Sequence, residues 1–267
     1  MNSENERYLK FAKEIAHEAG KVMLKYFNSD NGASYKGDKT IVTLADKEIN
    51  TYLINRVKEE FPTHSVDGEE EQFGKSDYVW VCDPVDGTAM YARHIPVAVF
   101  SLALVADGIP QVGVVYDVFT DNLYTAIKGE GAYKNGEKIT VNDVGFGDMR
   151  STSNFDMWPN AEYNVYDILQ ELRKKTYFLS LGSVIRGCIC VASGEFNLAI
   201  FPGTKRKNCD VAAVKVIVEE AGGKVTNFWG EEQRYDTDID GAIISNGLVH
   251  DEVIETIKKY NKKCNAI

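Results

Sequence analysis

Apolar side chains at Tyr8, Phe11, Ala12, Ile15, Ala19, Val22, Met23 and Tyr26 recur at helical spacing and predict a helix over 4–27 with one buried stripe. The polar stretch from Asn28 to Lys39, holding Gly32 and Gly37, reads as a mobile loop. Leu44, Ile49, Tyr52, Leu53 and Val57 share one face of a second helix over 43–60, and Thr43 and Asp46 have capping spacing at its start. From Tyr78 the period shortens. Tyr78 to Cys82 forms a short buried strand ending at Asp83, and two longer strands, 97–106 and 110–118, meet at the hairpin signal Asp107-Gly108. Strands over 123–127 and 131–134 continue the sheet, and Asn135-Gly136 carries a type I′ turn signal. Gly145-Phe146-Gly147 makes a joint. Beyond it, helices over 160–175, 183–193, 210–221 and 249–262 alternate with strands over 176–181, 196–201, 224–227 and 241–245. The pattern is an N-terminal α+β subdomain over 1–144 followed by a C-terminal α/β subdomain over 145–267.

Composition narrows the class. A chain of 267 residues, 44% hydrophobic and 26% charged, has enough apolar material for a core and excludes a disordered tail, a collagen-like chain and a disulfide miniprotein. With 30 Lys and Arg against 40 Asp and Glu the net charge is −10, so phosphate backbones are repelled and nucleic acid is not the expected partner. An acidic protein that handles anions needs local cations, and bound metal is one source. Five cysteines without paired spacing read as reduced thiols of a cytosolic protein. The polar start MNSENERYLK has no apolar signal core, and no uncharged apolar run approaches the ~18 residues of a membrane span. A cytoplasmic protein without a membrane partner is expected.

The chemistry concentrates in Trp80-Val81-Cys82-Asp83-Pro84-Val85-Asp86-Gly87-Thr88. Two carboxylates just past a strand end can face one crevice, with the Val85 carbonyl a third hard oxygen between them. Hard cations such as Mg²⁺ take oxygen ligands at about 2.0–2.1 Å. Gly87 allows its amide close to an anion, and a helix starting near Thr88 would favour a phosphate. Alone, Asp-Pro-x-Asp-Gly also reads as a turn. Likewise Gly68-Glu69-Glu70-Glu71 reads as a solvated acidic loop, Asp210 as a plain N-cap before Val211-Ala212-Ala213-Val214, and Asp46 as a helix-start carboxylate. Their joint occurrence in this order favours a site.

That set, with Glu220-Ala221-Gly222-Gly223, resembles the inositol monophosphatase family, part of the Mg²⁺-dependent, lithium-sensitive phosphatases that include fructose-1,6-bisphosphatases. The resemblance runs along nearly the whole chain, through Val42 to Asp46, Gly113 to Tyr116, Lys128 to Tyr133 and Gly241 to Asn246. It implies a layered α-β-α-β-α sandwich and a homodimer. It implies that Glu69, Asp83 and the Val85 carbonyl hold one Mg²⁺, that Asp83, Asp86 and Asp210 hold a second, and that a third leans on Glu69. Mn²⁺ is a possible substitute. Thr88 and Asp46 would orient the attacking water, with Glu69 among the catalytic residues, and the Gly87 and Thr88 amides would carry the phosphate. Gly182 and Ser183 match the segment that contacts the substrate ring, although Ser183 also fits a plain helix N-cap. Arg186, one turn on, is a further candidate to face the site.

The chain departs from inositol-specific members before Asp210. An acidic residue and a preceding Trp are replaced by Phe201-Pro202-Gly203-Thr204-Lys205-Arg206-Lys207-Asn208-Cys209. Three consecutive bases, with Lys205 the candidate substrate contact, suit a second phosphate or a carboxylate on the substrate. The spacing Asp83-x-x-Asp86 fails the Asp-x-Asp of haloacid dehalogenase-type phosphatases, and scattered histidines with one Cys188-x-Cys190 pair make no zinc pattern. The expectation is a Mg²⁺-dependent phosphomonoesterase for small sugar or polyol phosphates, with inositol monophosphate the default. Fructose 1,6-bisphosphate or a nucleotide such as NADP is the alternative substrate. A non-catalytic regulatory or binding protein on the same fold is the rival class.

Overall fold

The first amphipathic stripe folds into α1 (Ser3–Phe27), and α2 spans Leu44–Glu60. Asp46, in the first turn of α2, accepts the backbone N–H of Thr43 at 2.8 Å, which completes the expected cap. The computed structural model describes residues 3–37, 40–156, 164–202 and 207–261. Between the helices, where a loop is expected, β1 (Ser34–Tyr35) pairs antiparallel with β2 (Ile41–Val42). Strands of two residues are too short to leave a period in a polar segment.

An eight-stranded sheet follows. It contains β3 (Ser65–Gly68), β4 (Gln72–Phe73), β5 (Tyr78–Asp86), β6 (Val99–Ala106), β7 (Ile109–Asp117), β8 (Asn122–Ile127), β9 (Ala132–Lys134) and β10 (Glu137–Lys138), with the short helix α3 (Thr88–Tyr91) after β5. The order is β10-β9-β8-β7-β6-β5-β3-β4, antiparallel except for β3 beside β5. Asp107 and Gly108 have φ of 51° and 81°, and Asn135 and Gly136 have 50° and 84°, so both expected hairpins turn through two left-handed residues. β5 is longer than expected. It continues past Asp83 to Asp86, with a register shift against β6 between the two. Pro84 sits in that shift, where a missing N–H interrupts no regular ladder.

The second half holds β11 (Thr152–Phe155), α4 (Val165–Leu172), β12 (Tyr177–Leu179), α5 (Val184–Ala192), β13 (Leu198–Phe201), α6 (Asn208–Glu220), β14 (Lys224–Thr226), β15 (Ala242–Ser245) and α7 (His250–Tyr260). Its five-stranded sheet is ordered β12-β11-β13-β15-β14, parallel from β12 to β13 and antiparallel beyond. Of the helix expected over 160–175, Val165–Leu172 is helical and 157–163 lie outside the described residues.

The layers alternate as α-β-α-β-α. α1 and α2 cover one face of the large sheet around Phe11, Ile15, Trp80 and Phe100. α5 and α6 fill the space between the sheets, where Val81, Val115, Ile185, Val214 and Ile244 belong to one core. α4 and α7 pack beyond the small sheet with Leu172, Ile200, Ile243 and Ile257. A helix between two sheets must be apolar all round, and α6 is buried continuously from Asn208 to Val218. Gly113 on β7 admits it: a Cβ there would lie 2.6 Å from the Ala213 carbonyl oxygen and from Val216 Cγ1. No helix among the described residues is long and apolar enough to cross a membrane.

Candidate metal centre

The central helices and the bulged end of β5 meet at a cluster of acids. Asp83 and Asp86 lie on β5, 2% and 4% exposed, and Asp210 lies in the first turn of α6, 1% exposed. α6 begins at Asn208, so Asp210 is not the N-cap that a local reading allows. Asn208 ties this start down, donating to Asp67 of β3 at 2.7 Å and to the Tyr235 carbonyl at 3.1 Å. Glu69 follows β3, its amide donating to the Cys82 carbonyl at 3.1 Å. Asn50 holds the same loop: its side-chain oxygen accepts from the Glu70 and Glu71 amides at 3.3 Å, and its amide donates to the Glu71 carbonyl at 3.0 Å.

Asp86 is held by the start of α5. It accepts the Val184 and Ile185 amides at 3.2 and 2.9 Å and the Ser183 hydroxyl. Ser183 in turn accepts the Arg186 amide at 3.2 Å, so it is both the N-cap of α5 and the clamp on Asp86. Gly87 has φ 86°, and a Cβ there would meet Ser183 Cβ at 3.0 Å and the Gly182 carbonyl at 3.1 Å. The two halves of the chain thus touch through Gly87, Gly182 and Ser183. The Thr88 hydroxyl donates to the Val85 carbonyl at 2.8 Å and stands 3.5 Å from Asp46 Oδ1. Asp83 accepts the Val85 amide at 3.0 Å.

Crowding of acids in a dry place shows in their titration. Burial, then the charges of Glu69, Asp86 and Asp210, push Asp83 well above the usual carboxylate range. Burial and Asp210 push Asp86 up to about 7, against the Ser183 and Ile185 hydrogen bonds that hold it down. Burial raises Asp46 to about 7, although its bonds to Thr43 oppose this. Asp210 is raised by burial, with the Lys207 cation lowering it and Glu69 raising it. Each of the four acids is therefore short of positive charge.

Two lysines answer part of that need: Lys36, which the sequence pattern does not single out, and Lys207, which it offers as part of the basic run suited to a substrate anion. Lys36, from the loop before β2, pairs with Glu70 and lies 3.4 Å from Glu69. Lys207 lies 3.8 Å from Glu69 Oε1 and 3.6 Å from Asp210 Oδ2. Even so, Asp210 Oδ2 is buried without a hydrogen bond. Arg186, expected to face the site, pairs instead with the buried Asp117 at the end of β7. Lys205 and Arg206 lie outside the described residues.

Similarity to known proteins carries this geometry to a family. The family model described as the inositol monophosphatase family matches residues 4–262. The chain belongs to the inositol monophosphatase family. It is 31% identical over 255 residues to the fructose-1,6-bisphosphatase/inositol-1-monophosphatase of Thermotoga maritima, covering 94% of each chain. It is 30% identical over 234 residues to Nus factor SuhB of Salmonella typhimurium, covering 83% of this chain and 85% of that one. A solved IMPase of Thermotoga maritima superposes with a TM-score of 0.84 at 28% identity, covering 95% of this chain and 98% of that one. This inositol monophosphatase family member is a metal-dependent phosphoric monoester hydrolase of a Mg²⁺-dependent family. Its site fits that ion. The Asp210 Oδ2 atom lacks a hydrogen bond, the carboxylates repel one another, and oxygen donors of this kind are what Mg²⁺ takes.

Proposed function

We propose that the chain hydrolyses small phosphate monoesters, with inositol monophosphate the default substrate, by attack of water at the Glu69–Asp83–Asp86–Asp210 cluster. The single observation behind this reading is that burial and neighbouring carboxylates raise the proton affinity of Asp83, Asp86 and Asp210, which come from β5 and α6 to lie beside Glu69, while Asp210 Oδ2 has the Lys207 ammonium at 3.6 Å and no hydrogen bond. Two or three Mg²⁺ ions would supply the missing charge, lower the pKa of water and stabilise the attacking and leaving oxygens of an in-line displacement. Glu69, Asp83 and the Val85 carbonyl would hold one ion; Asp83, Asp86 and Asp210 would hold another. The Thr88 hydroxyl, 2.8 Å from the Val85 carbonyl and 3.5 Å from Asp46, would orient the attacking water, and Asp46 would take up its proton. The start of α3 would receive the phosphate at the Gly87 and Thr88 amides. Ser183 keeps Asp86 in register.

Substrate choice is the second half of the proposal. The segment before Asp210 is basic, and the Thermotoga relative is named for fructose 1,6-bisphosphate as well as inositol 1-phosphate. A substrate with a second anionic group is the alternative. The test is phosphate release, with and without Mg²⁺, from inositol 1-phosphate, fructose 1,6-bisphosphate and NADP. Turnover that requires Mg²⁺, stops with EDTA, falls with millimolar Li⁺ and vanishes in Asp210→Asn supports the reading. No release from any ester under any divalent metal would favour the non-catalytic class.

A further inference from the structure

Asp86 accepts hydrogen bonds from the Ser183 hydroxyl and the Val184 and Ile185 amides, so its place depends on where the start of α5 sits. What fixes that start lies outside the cluster of acids. From the small sheet, Asn154 of β11 accepts the Leu181 amide at 3.2 Å, and its side chain lies so close beneath Gly187 that a Cβ there would overlap it. From the large sheet, Asp117 at the end of β7 pairs with Arg186. Asp117 is 1% exposed and is itself fixed, accepting the Phe119 and Thr120 amides at 3.1 and 3.3 Å and the Thr120 hydroxyl. α5 has nine residues, of which Val184, Ile185, Cys188, Ile189 and Val191 are buried and Arg186 alone is charged. That one charge is turned onto the end of a strand in the other half of the chain.

We propose that Arg186 is a positioning residue for the metal centre: its ion pair with Asp117 sets the slide and rotation of α5, and so holds Ser183, Val184 and Ile185 on Asp86. Apolar contacts are non-directional, so the buried stripe of α5 alone leaves a short helix free to shift along the core. A planar guanidinium on a fixed carboxylate has direction. A buried pair adds little net stability, because desolvation of both charges offsets their attraction, and the register it imposes is its larger effect here. The route from the pair to the acid is short. The Arg186 amide donates to Ser183 Oγ at 3.2 Å, and the Ser183 hydroxyl donates to Asp86. The inference rests on the proposed role of Asp86 as a cation ligand but not on any particular substrate.

The test is a Mn²⁺ titration of the full chain, stripped of metal with a chelator, with the free ion read by electron paramagnetic resonance. Arg186→Met is the first variant, because Asp117 keeps its bonds from Phe119 and Thr120 when the guanidinium is gone. The expected result is an affinity about tenfold or more below that of the wild type, the scale of groups that orient a ligand. Arg186→Lys is expected to fall between the two. Because Arg186 acts through Asp86, the same substitution in an Asp86→Asn background is expected to cost no further affinity. Wild-type affinity in Arg186→Met, or a full additional loss in the Asp86→Asn background, overturns the proposal. Should Arg186→Met fold poorly by circular dichroism, Arg186→Lys decides: weaker binding than wild type supports the proposal, and equal binding overturns it. A wild-type chain that binds no Mn²⁺ would strike the reading of these acids as a cation centre, and this inference with it.

Discussion

Each acid of the site does two jobs, and the neighbouring groups show which. Asp86 is a carboxylate at a helix start, where the amides of α5 and the Ser183 hydroxyl favour its charge, yet burial and Asp210 drive it up to about 7. Thr88 is simpler: its hydroxyl donates to the Val85 carbonyl and stands 3.5 Å from Asp46. Thr88→Val is expected to lower kcat by about 10²–10⁴-fold, the scale of a positioned proton-transfer group, with KM and melting temperature little changed. Steady-state kinetics beside a thermal melt check this, and an unchanged kcat removes Thr88 from the chemistry. Asp83, Pro84, Val85, Asp86, Gly87 and Thr88 were legible in the sequence because they are contiguous and of ligand-bearing types. Lys36 was not, because it reaches Glu70 across 34 positions of chain. Arg186 was misplaced for the same reason, since its partner Asp117 lies 69 positions earlier and only the fold makes them neighbours.

Helices and strands place these residues through a few tight contacts. The close approach of Gly87 to Gly182 and Ser183 is one. Gly87→Ala forces a Cβ into 3.0 Å of Ser183 Cβ and asks an alanine to hold φ 86°. The expected cost is about 1–3 kcal/mol in urea unfolding, with loss of activity as α5 shifts from Asp86. Wild-type stability in this variant would show that the junction is loose. At this scale the sequence was a good guide wherever a single period ran long enough, as in α1, α2, β6 and β7. It missed β3 and β11, Ser65-Val66-Asp67-Gly68 and Thr152-Ser153-Asn154-Phe155, because neither carries the apolar run of a buried strand. Their place in the sheets comes from partners: β5 for β3, and β12 with β13 for β11. The same is true of Pro84, which the sequence reads as the end of a strand and the structure uses inside a bulge.

Across the whole molecule, one core joins the two sheets through α5 and α6, so cation binding at its edge is felt as global stability. Asp46 and Asp86 have folded values of about 7 against an ordinary 3.8, so between those values the folded, metal-free chain holds protons that the unfolded chain has released. Stability therefore falls as pH rises from about 4 to about 7, opposite to a salt-bridged carboxylate. Magnesium needs the deprotonated acids, so the rise in melting temperature on adding Mg²⁺ is expected to be larger at pH 8 than at pH 5. Melts at both values, with and without the ion, check the sign, and an equal rise at both would mean the acids do not titrate with binding. The central claim, that acids from β5, α6 and the loop after β3 share cations, is tested most directly by anomalous diffraction from a crystal soaked in Mn²⁺. The expected map shows manganese peaks between Glu69, Asp83, Asp86 and Asp210. A map with no peak among those carboxylates would contradict it.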